Sequence, residues 1–254
     1  MQFPEFDEFT RKLCAETEKK ILSIYENPEM AIEQKEDQTP VTLADRETER
    51  TIRESIEILY PEHGIIGEEY GETKPDAEYK WVVDPIDGTK TFTTACPLFG
   101  TMIALLRQDE PIFGCINYPA IGKRIASDGH TTFLNGQVVR GRQGVPLEEA
   151  TLLTTDFLAV GEHQDGPRFE ALARKTKLCR TWGDCFGYYL VAIGKADIML
   201  DPILSKWDLM ALIPILRGAG VTVTDWRGGN PAQGESLIAA NADLHDQILR
   251  MLND

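Results

Sequence analysis

The chain has 254 residues, enough for one large domain or two closely packed ones. It is 42% apolar and 26% charged, and it has no apolar run of about 18 residues, which excludes a disordered chain and a membrane-spanning helix. Its formal net charge of -15, from 41 Asp and Glu against 26 Lys and Arg, repels nucleic-acid backbones and anionic membranes, so neither is an expected partner.

The N-terminus, MQFPEFDEFTRKL, lacks the basic start and continuous apolar run of a secretory signal, and a cytoplasmic location is the expectation. Phe6, Phe9, Leu13, Ile21 and Ile24 recur at helical spacing and predict an amphipathic helix over 4–26. A polar loop or irregular hairpin follows at EQKEDQTP. A second helix runs from about Leu43 to Tyr60, with Ile52, Ile56 and Leu59 on one face and Pro61 as its stop. Ile65 and Ile66 form a short strand leading into Gly67-Glu68-Glu69, and residues 79–84 form another that Pro85 ends. The next region is β-rich, with a hairpin turn at Asn135-Gly136, two residue types that tolerate positive φ. Residues 140–150 change composition and predict a connection between an N-terminal α+β subdomain, 1–143, and a C-terminal α/β subdomain, 144–254. The second part alternates strands at 151–156, 178–181, 196–201, 221–226 and 236–240 with helices at about 167–176, 184–193, 208–218 and 242–252.

The five cysteines, Cys14, Cys96, Cys115, Cys179 and Cys185, are odd in number and form no Cys-x-x-Cys pair, so free thiols are expected. His63, His130, His163 and His245 are scattered and read as surface or turn residues, with no signal of a histidine-based triad.

The chemistry concentrates in three acidic segments. In WVVDPIDGTKTF, Asp84 and Asp87 lie three apart around Pro85, and a turn there brings back a second carboxylate that an uninterrupted strand would send to the opposite face. Paired carboxylates repel unless a cation neutralises them, and an all-oxygen set suits magnesium. Gly88 permits close backbone approach, and Thr89 opens a short helix whose amide faces an anion. The plain alternative is a capped turn. Glu68-Glu69 reads equally as an acidic surface turn, and Asp208 in SKWDLMALIPIL as a helix cap. Pro214 predicts a bend in that last helix or an unpaired carbonyl.

Taken in order, GEE at 67–69, DPIDGT at 84–89 and WD at 207–208 resemble the inositol monophosphatase family of magnesium-dependent, lithium-sensitive phosphomonoesterases. RTWGDCFGYYLVAIGKADIMLDP is most similar to its histidinol-phosphate phosphatase branch. The resemblance runs from Lys35 to Gly-Ala-Gly at 218–220. It implies a layered α/β sugar-phosphatase sandwich of alternating helix and sheet layers, with phosphate and metals between its halves. On these positions it implies two to three magnesium ions held by Glu68, Asp84, the main-chain carbonyl of Ile86, Asp87 and Asp208. Glu68 and Thr89 would orient the attacking water, Asp45 would bond to Thr89, and Lys35 would lie on a segment near the metals. The Gly88 and Thr89 amides would receive the phosphate. The implied reaction is direct attack of a metal-activated water on a phosphate monoester, with no phospho-protein. A homodimer is the family's usual assembly. Read without the resemblance, Asp45 is a helix cap and Lys35 a solvated loop cation.

For the leaving alcohol, Asp184 and Asp201, with Cys185 as a pocket neighbour, are the expected contacts. Two carboxylates suit the ammonium and imidazole of histidinol phosphate. Helix capping by Asp184 and a turn before Pro202 at Asp201 are the structural alternatives. Histidinol phosphate therefore ranks first, inositol monophosphate or a broad range of sugar phosphates second, and a catalytically silent metal-binding or assembly domain last.

Overall fold

The protein, described by a computed structural model over residues 1–27, 32–34 and 40–254, opens with helix α1 (Phe3–Tyr25). A small antiparallel pair, β1 (Ile32–Gln34) and β2 (Pro40–Thr42), leads into α2 (Leu43–Leu59). Next come β3 (Gly64–Gly67), β4 (Gly71–Thr73), β5 (Tyr79–Asp87), the single-turn helix α3 (Thr89–Thr93), β6 (Gly100–Arg107), β7 (Glu110–Tyr118), β8 (Lys123–Ser127), β9 (Thr132–Leu134) and β10 (Gln137–Val139). The second part contains β11 (Thr151–Leu153), α4 (Phe157–His163), α5 (Gly166–Ala173), β12 (Leu178–Arg180), α6 (Asp184–Ala192), β13 (Ile198–Asp201), α7 (Lys206–Gly218), β14 (Thr222–Thr224), β15 (Leu237–Ala240) and α8 (Ala242–Asn253).

Strands from the first part build an eight-stranded sheet in the order β10-β9-β8-β7-β6-β5-β3-β4, antiparallel except for β3 beside β5. Those of the second build a five-stranded sheet, β12-β11-β13-β15-β14. Alternation along each strand decides what each face packs against. From β5, Trp81 and Val83 join Phe6, Phe9, Leu13, Ile52 and Ile56 of α1 and α2, whereas Val82 enters the core beneath α6 and α7. The far side of α6 and α7 meets Leu153, Met199 and Ala239 of the smaller sheet. That sheet's other face, with Leu152, Ile198 and Ile238, is covered by α4, α5 and α8. The result is an alternating α/β sandwich of five layers, in which α6 and α7 form the shared middle.

Several expectations need correction. Strand β5 does not stop before Pro85: it continues to Asp87 through a bulge, because Asp84 faces Met102 and Asp87 faces Gly100. The extra residue re-aims the end of the strand and lets the proline stay in the sheet without its missing N–H being needed. Leu59 is exposed, and at the end of α2 it is Tyr60 that packs on the core, against Phe9 and Trp81. His245 is buried on the inner face of α8, where its Nε2 meets Thr224 Oγ1 at 3.0 Å. Helix α4 was not expected; Asp156, which accepts from the Leu158 N–H at 2.8 Å, is its cap and the signal that could have revealed it. The hairpin turn holds as read, with Asn135 and Gly136 both at positive φ. All five cysteines are unpaired. At Pro214, inside α7, the Ser127 hydroxyl donates to the proline's carbonyl at 2.8 Å, and Thr132 Oγ1 donates to that of Ile215 at 2.6 Å.

Trp81 is the aromatic hub of the outer core. It stacks on Phe6 at 5.8 Å between centroids, meets Phe9 edge-on at 5.1 Å, and donates its indole N–H to His63 Nδ1 at 3.1 Å. Trp81→Ala is expected to cost about 3–5 kcal/mol in urea unfolding. A loss below about 1 kcal/mol would contradict this packing.

Candidate active site

The bulge in β5 delivers Asp84 and Asp87 to the end of the large sheet, and the first turn of α7 brings Asp208 to them from the other half. One ligand atom from each of the three carboxylates lies within 4.8 Å of the others. The Ile86 side chain anchors the turn between the first two by packing with Ile21, Ala44, Phe92 and Phe99. Gly88 then takes φ +83°, and Thr89 opens α3.

Asp208, Asp87 and Asp45 each give one oxygen to a backbone N–H. Asp208 accepts the Ser205 N–H on Oδ2 at 2.7 Å, so it is both a cap and a member of the cluster. Asp87 accepts the Cys185 N–H on Oδ2 at 2.6 Å, tying the two halves together. Asp45 uses Oδ2 for the Thr42 N–H at 2.8 Å, while its Oδ1 accepts from the Thr89 hydroxyl at 3.4 Å. That hydroxyl also reaches the Ile86 carbonyl at 3.0 Å. In contrast, Asp84 is buried and its Oδ1 has no hydrogen-bond partner. Asp184 is no cap: Gly183 holds the cap position, while Asp184 sits at φ +51° and accepts from Thr91 Oγ1 at 3.1 Å. A Cβ at Gly88 would lie 3.0 Å from Asp184 Oδ2, so this carboxylate borders the Gly88 turn directly.

Burial and mutual repulsion disturb these groups in one direction. Burial first, then Glu68 and the other acids, hold the proton on Asp84 well above the usual carboxylate range. Burial, then Asp184 and Asp208, do the same for Asp87. Burial, with Glu68 also opposing ionisation, pushes Asp208 up to about 7. Such a cluster is poor as bare anions and good as cation ligands. The fit to a hard divalent cation rests on three points: the donors are all oxygen, they converge, and one buried oxygen of Asp84 has no protein partner.

A cavity of about 410 Å³ opens beside the cluster, lined by Asp87, Asp184, Cys185, Asp201 and Asp208 together with α4. Sequence reasoning missed Thr155, Tyr188, Lys90, Asp156, Glu162 and His163 on its wall. Asp201 is buried, and it accepts the Thr155 N–H at 2.8 Å and the Tyr188 hydroxyl at 3.0 Å, so it orients two wall residues. Cys185 contributes its backbone: its N–H goes to Asp87, its carbonyl accepts from Tyr118 Oη at 3.0 Å, and burial pushes its thiol up, keeping it protonated. Glu69 turns its N–H to Glu49. Lys35 lies outside the described residues. Among those described, no helix is long and apolar enough to cross a membrane.

Comparison with known proteins agrees with this geometry. The model of the inositol monophosphatase family matches residues 4–254. A histidinol-phosphatase of Chlorobaculum parvum is 35% identical over 96% of this chain and 95% of its own length. The chloroplastic bifunctional phosphatase IMPL2 of Arabidopsis thaliana is also 35% identical, over 98% of this chain and 76% of its own. The solved structure of an inositol monophosphatase from Zymomonas mobilis superposes with a TM-score of 0.89, at 31% identity and full coverage of both chains. With this match along its length and its acids gathered in one place, the chain belongs to the inositol monophosphatase family and is a magnesium-dependent phosphomonoesterase.

Proposed function

We propose that the protein is a histidinol-phosphate phosphatase, converting L-histidinol phosphate and water to L-histidinol and phosphate in histidine biosynthesis. The acidity of the cavity wall beyond the cluster carries this reading: Asp156, Glu162, Asp184 and Asp201 line the space beside the cluster and outnumber Lys90 and His163 there. A cationic ammonium and imidazole suit such a wall better than neutral ring hydroxyls do. The histidinol-phosphatases among the relatives support it.

In this reading Asp84, Asp87 and Asp208 hold magnesium, with Glu68 and the Ile86 carbonyl completing a site for two to three ions. Bound there, magnesium offsets charge on the phosphoryl oxygens and makes water a better nucleophile. The chain's own residues do the positioning. The Thr89 proton is directed to Ile86 or Asp45, which leaves a hydroxyl lone pair to accept from the attacking water, with Glu68 on the same water. Burial raises the proton affinity of Asp45, which suits it to hold that hydrogen bond. The Gly88 and Thr89 amides receive the phosphate. Cys185, with its protonated thiol, takes no nucleophilic part. A homodimer and a cytoplasmic location complete the proposal.

A substrate panel under magnesium tests it. Histidinol phosphate is expected to exceed inositol monophosphate at least tenfold in kcat/KM. The reverse order would favour an inositol monophosphatase, the reading supported by the Zymomonas mobilis structure. Asp184→Asn should lower kcat/KM for histidinol phosphate about 10- to 100-fold, the worth of a charge-assisted hydrogen bond, and lower that for a neutral-alcohol phosphate less. Equal losses would remove Asp184 from substrate choice. Phosphate release insensitive to chelator would overturn the metal reading altogether.

A further inference from the structure

We propose that Glu49, braced by Arg53, is a positioning residue that holds the Glu68 turn in place for metal binding; this rests on Glu68 being a ligand, as proposed above. Asp45 and Glu49 lie four residues apart on α2 and so share one face of the helix. The first reaches Thr89; the second reaches the turn after β3.

Glu49 is fully buried. Its Oε2 accepts the Glu69 N–H at 2.7 Å, and its Oε1 accepts the Tyr70 N–H at 3.2 Å and Arg53 Nε at 2.7 Å. Arg53 in turn donates from Nη2 to the Gly71 carbonyl. The ion pair therefore grips the main chain at 69, 70 and 71. On the other side, the Glu68 N–H donates to the Val83 carbonyl at 3.3 Å, one residue before Asp84. Glu68 is thus fixed between the strand that carries Asp84 and the carboxylate of Glu49. The close fit extends to Gly67, where a Cβ would fall 1.9 Å from Glu49 Oε1 and 2.8 Å from Arg53 Nη2.

A buried ion pair is a poor source of stability, because desolvation offsets most of its attraction and apolar replacements of similar size often do as well. A carboxylate that gathers two consecutive N–H groups beside a ligand turn supplies what apolar packing cannot, a fixed backbone direction. Residues behind metal ligands commonly affect affinity by 10- to 100-fold.

The test is direct magnesium binding by titration calorimetry, alongside thermal unfolding in chelator, for wild type, Glu68→Gln, Glu49→Gln and the double variant Glu49→Met/Arg53→Leu. The double variant removes both charges together, so neither is left buried and unpaired; it is expected to fold, melting lower only by the lost main-chain hydrogen bonds, while binding magnesium about 10-fold or more weakly. Glu49→Gln keeps one acceptor for the turn and should show an intermediate loss; it carries the test if the double variant does not fold. Wild-type magnesium affinity in the Glu49 variants, with Glu68→Gln weakened, would overturn the positioning role alone. Unchanged affinity in Glu68→Gln would instead remove Glu68 as a ligand, and the positioning proposal with it.

Discussion

Asp84→Asn is expected to lower kcat/KM by about 10³-fold or more while making the metal-free protein harder to unfold. The loss corresponds to about 4 kcal/mol of transition-state stabilisation, a reasonable share for one carboxylate of a metal cluster. The gain has a separate cause. Asp84 is buried, one of its oxygens has no hydrogen-bond partner, and Glu68, Asp87 and Asp208 all oppose its charge. Without metal, these groups destabilise the fold, and a neutral isostere removes the repulsion without opening a cavity. Each kcal/mol recovered should raise Tm by about 2–4 °C in a chain of this size. Steady-state kinetics and thermal unfolding in chelator measure the two effects. A variant with near wild-type turnover, or one that melts lower than wild type without metal, would show that these carboxylates do not act as a strained cation site.

The second large effect is on the pH dependence of the metal-free protein, which should lose a few kcal/mol of stability as pH rises from about 4 to about 8. Burial pushes Asp208 up to about 7 in the folded state from an ordinary 3.8, and Asp84 and Asp87 are raised in the same direction. Between those values the folded chain binds more protons than the unfolded one, so stability falls with rising pH. The contribution is fully present below about 4 and is lost as pH passes through about 7, at about 1.4 kcal/mol for each tenfold difference in proton affinity. Asp201, raised by burial to about 6, adds to the same trend. Magnesium should displace the protons and flatten or reverse the slope, because it binds the ionised carboxylates. Urea titrations in chelator at several pH values provide the measurement. A metal-free stability that is flat or rises over this range would be incompatible with a crowded acidic cluster.

Both effects arise from a conflict visible in the sequence but not resolved there. Asp45 and Asp208 each read as a cap and do cap their helices, yet Asp45 also reaches Thr89 and Asp208 also joins the acidic cluster; Asp87, read as a turn residue, spends one oxygen instead on the Cys185 N–H of the other half. A carboxylate has two oxygens, so in Asp45 and Asp208 one can serve the local backbone while the other faces Thr89 or the cluster. Local pattern reports only the first use, because a cap depends on residues three or four positions away. Asp184 differs: its left-handed backbone turns the carboxylate from the start of α6 toward Thr91 and Gly88, residues nearly a hundred positions earlier. Glu49 left no sequence signal of function, since a Glu one turn after Asp45 on an amphipathic helix looks solvated.

What the sequence determined by itself follows from periodicity and local chemistry: the long helices α1, α2, α7 and α8, the Asn135-Gly136 hairpin, the run of α/β elements in the second part, and the acidic segments near strand and helix ends. These are encoded within a few residues, where spacing and turn propensity decide the outcome. The bulge that carries β5 past Pro85, the meeting of Asp208 with Asp84 and Asp87, the acidic wall on α4 and the grip of Glu49 on the Glu68 turn were decided only by tertiary structure. Each requires two layers to pack at a particular register, and that register is set by the shared core around α6 and α7 rather than by any local stretch of chain.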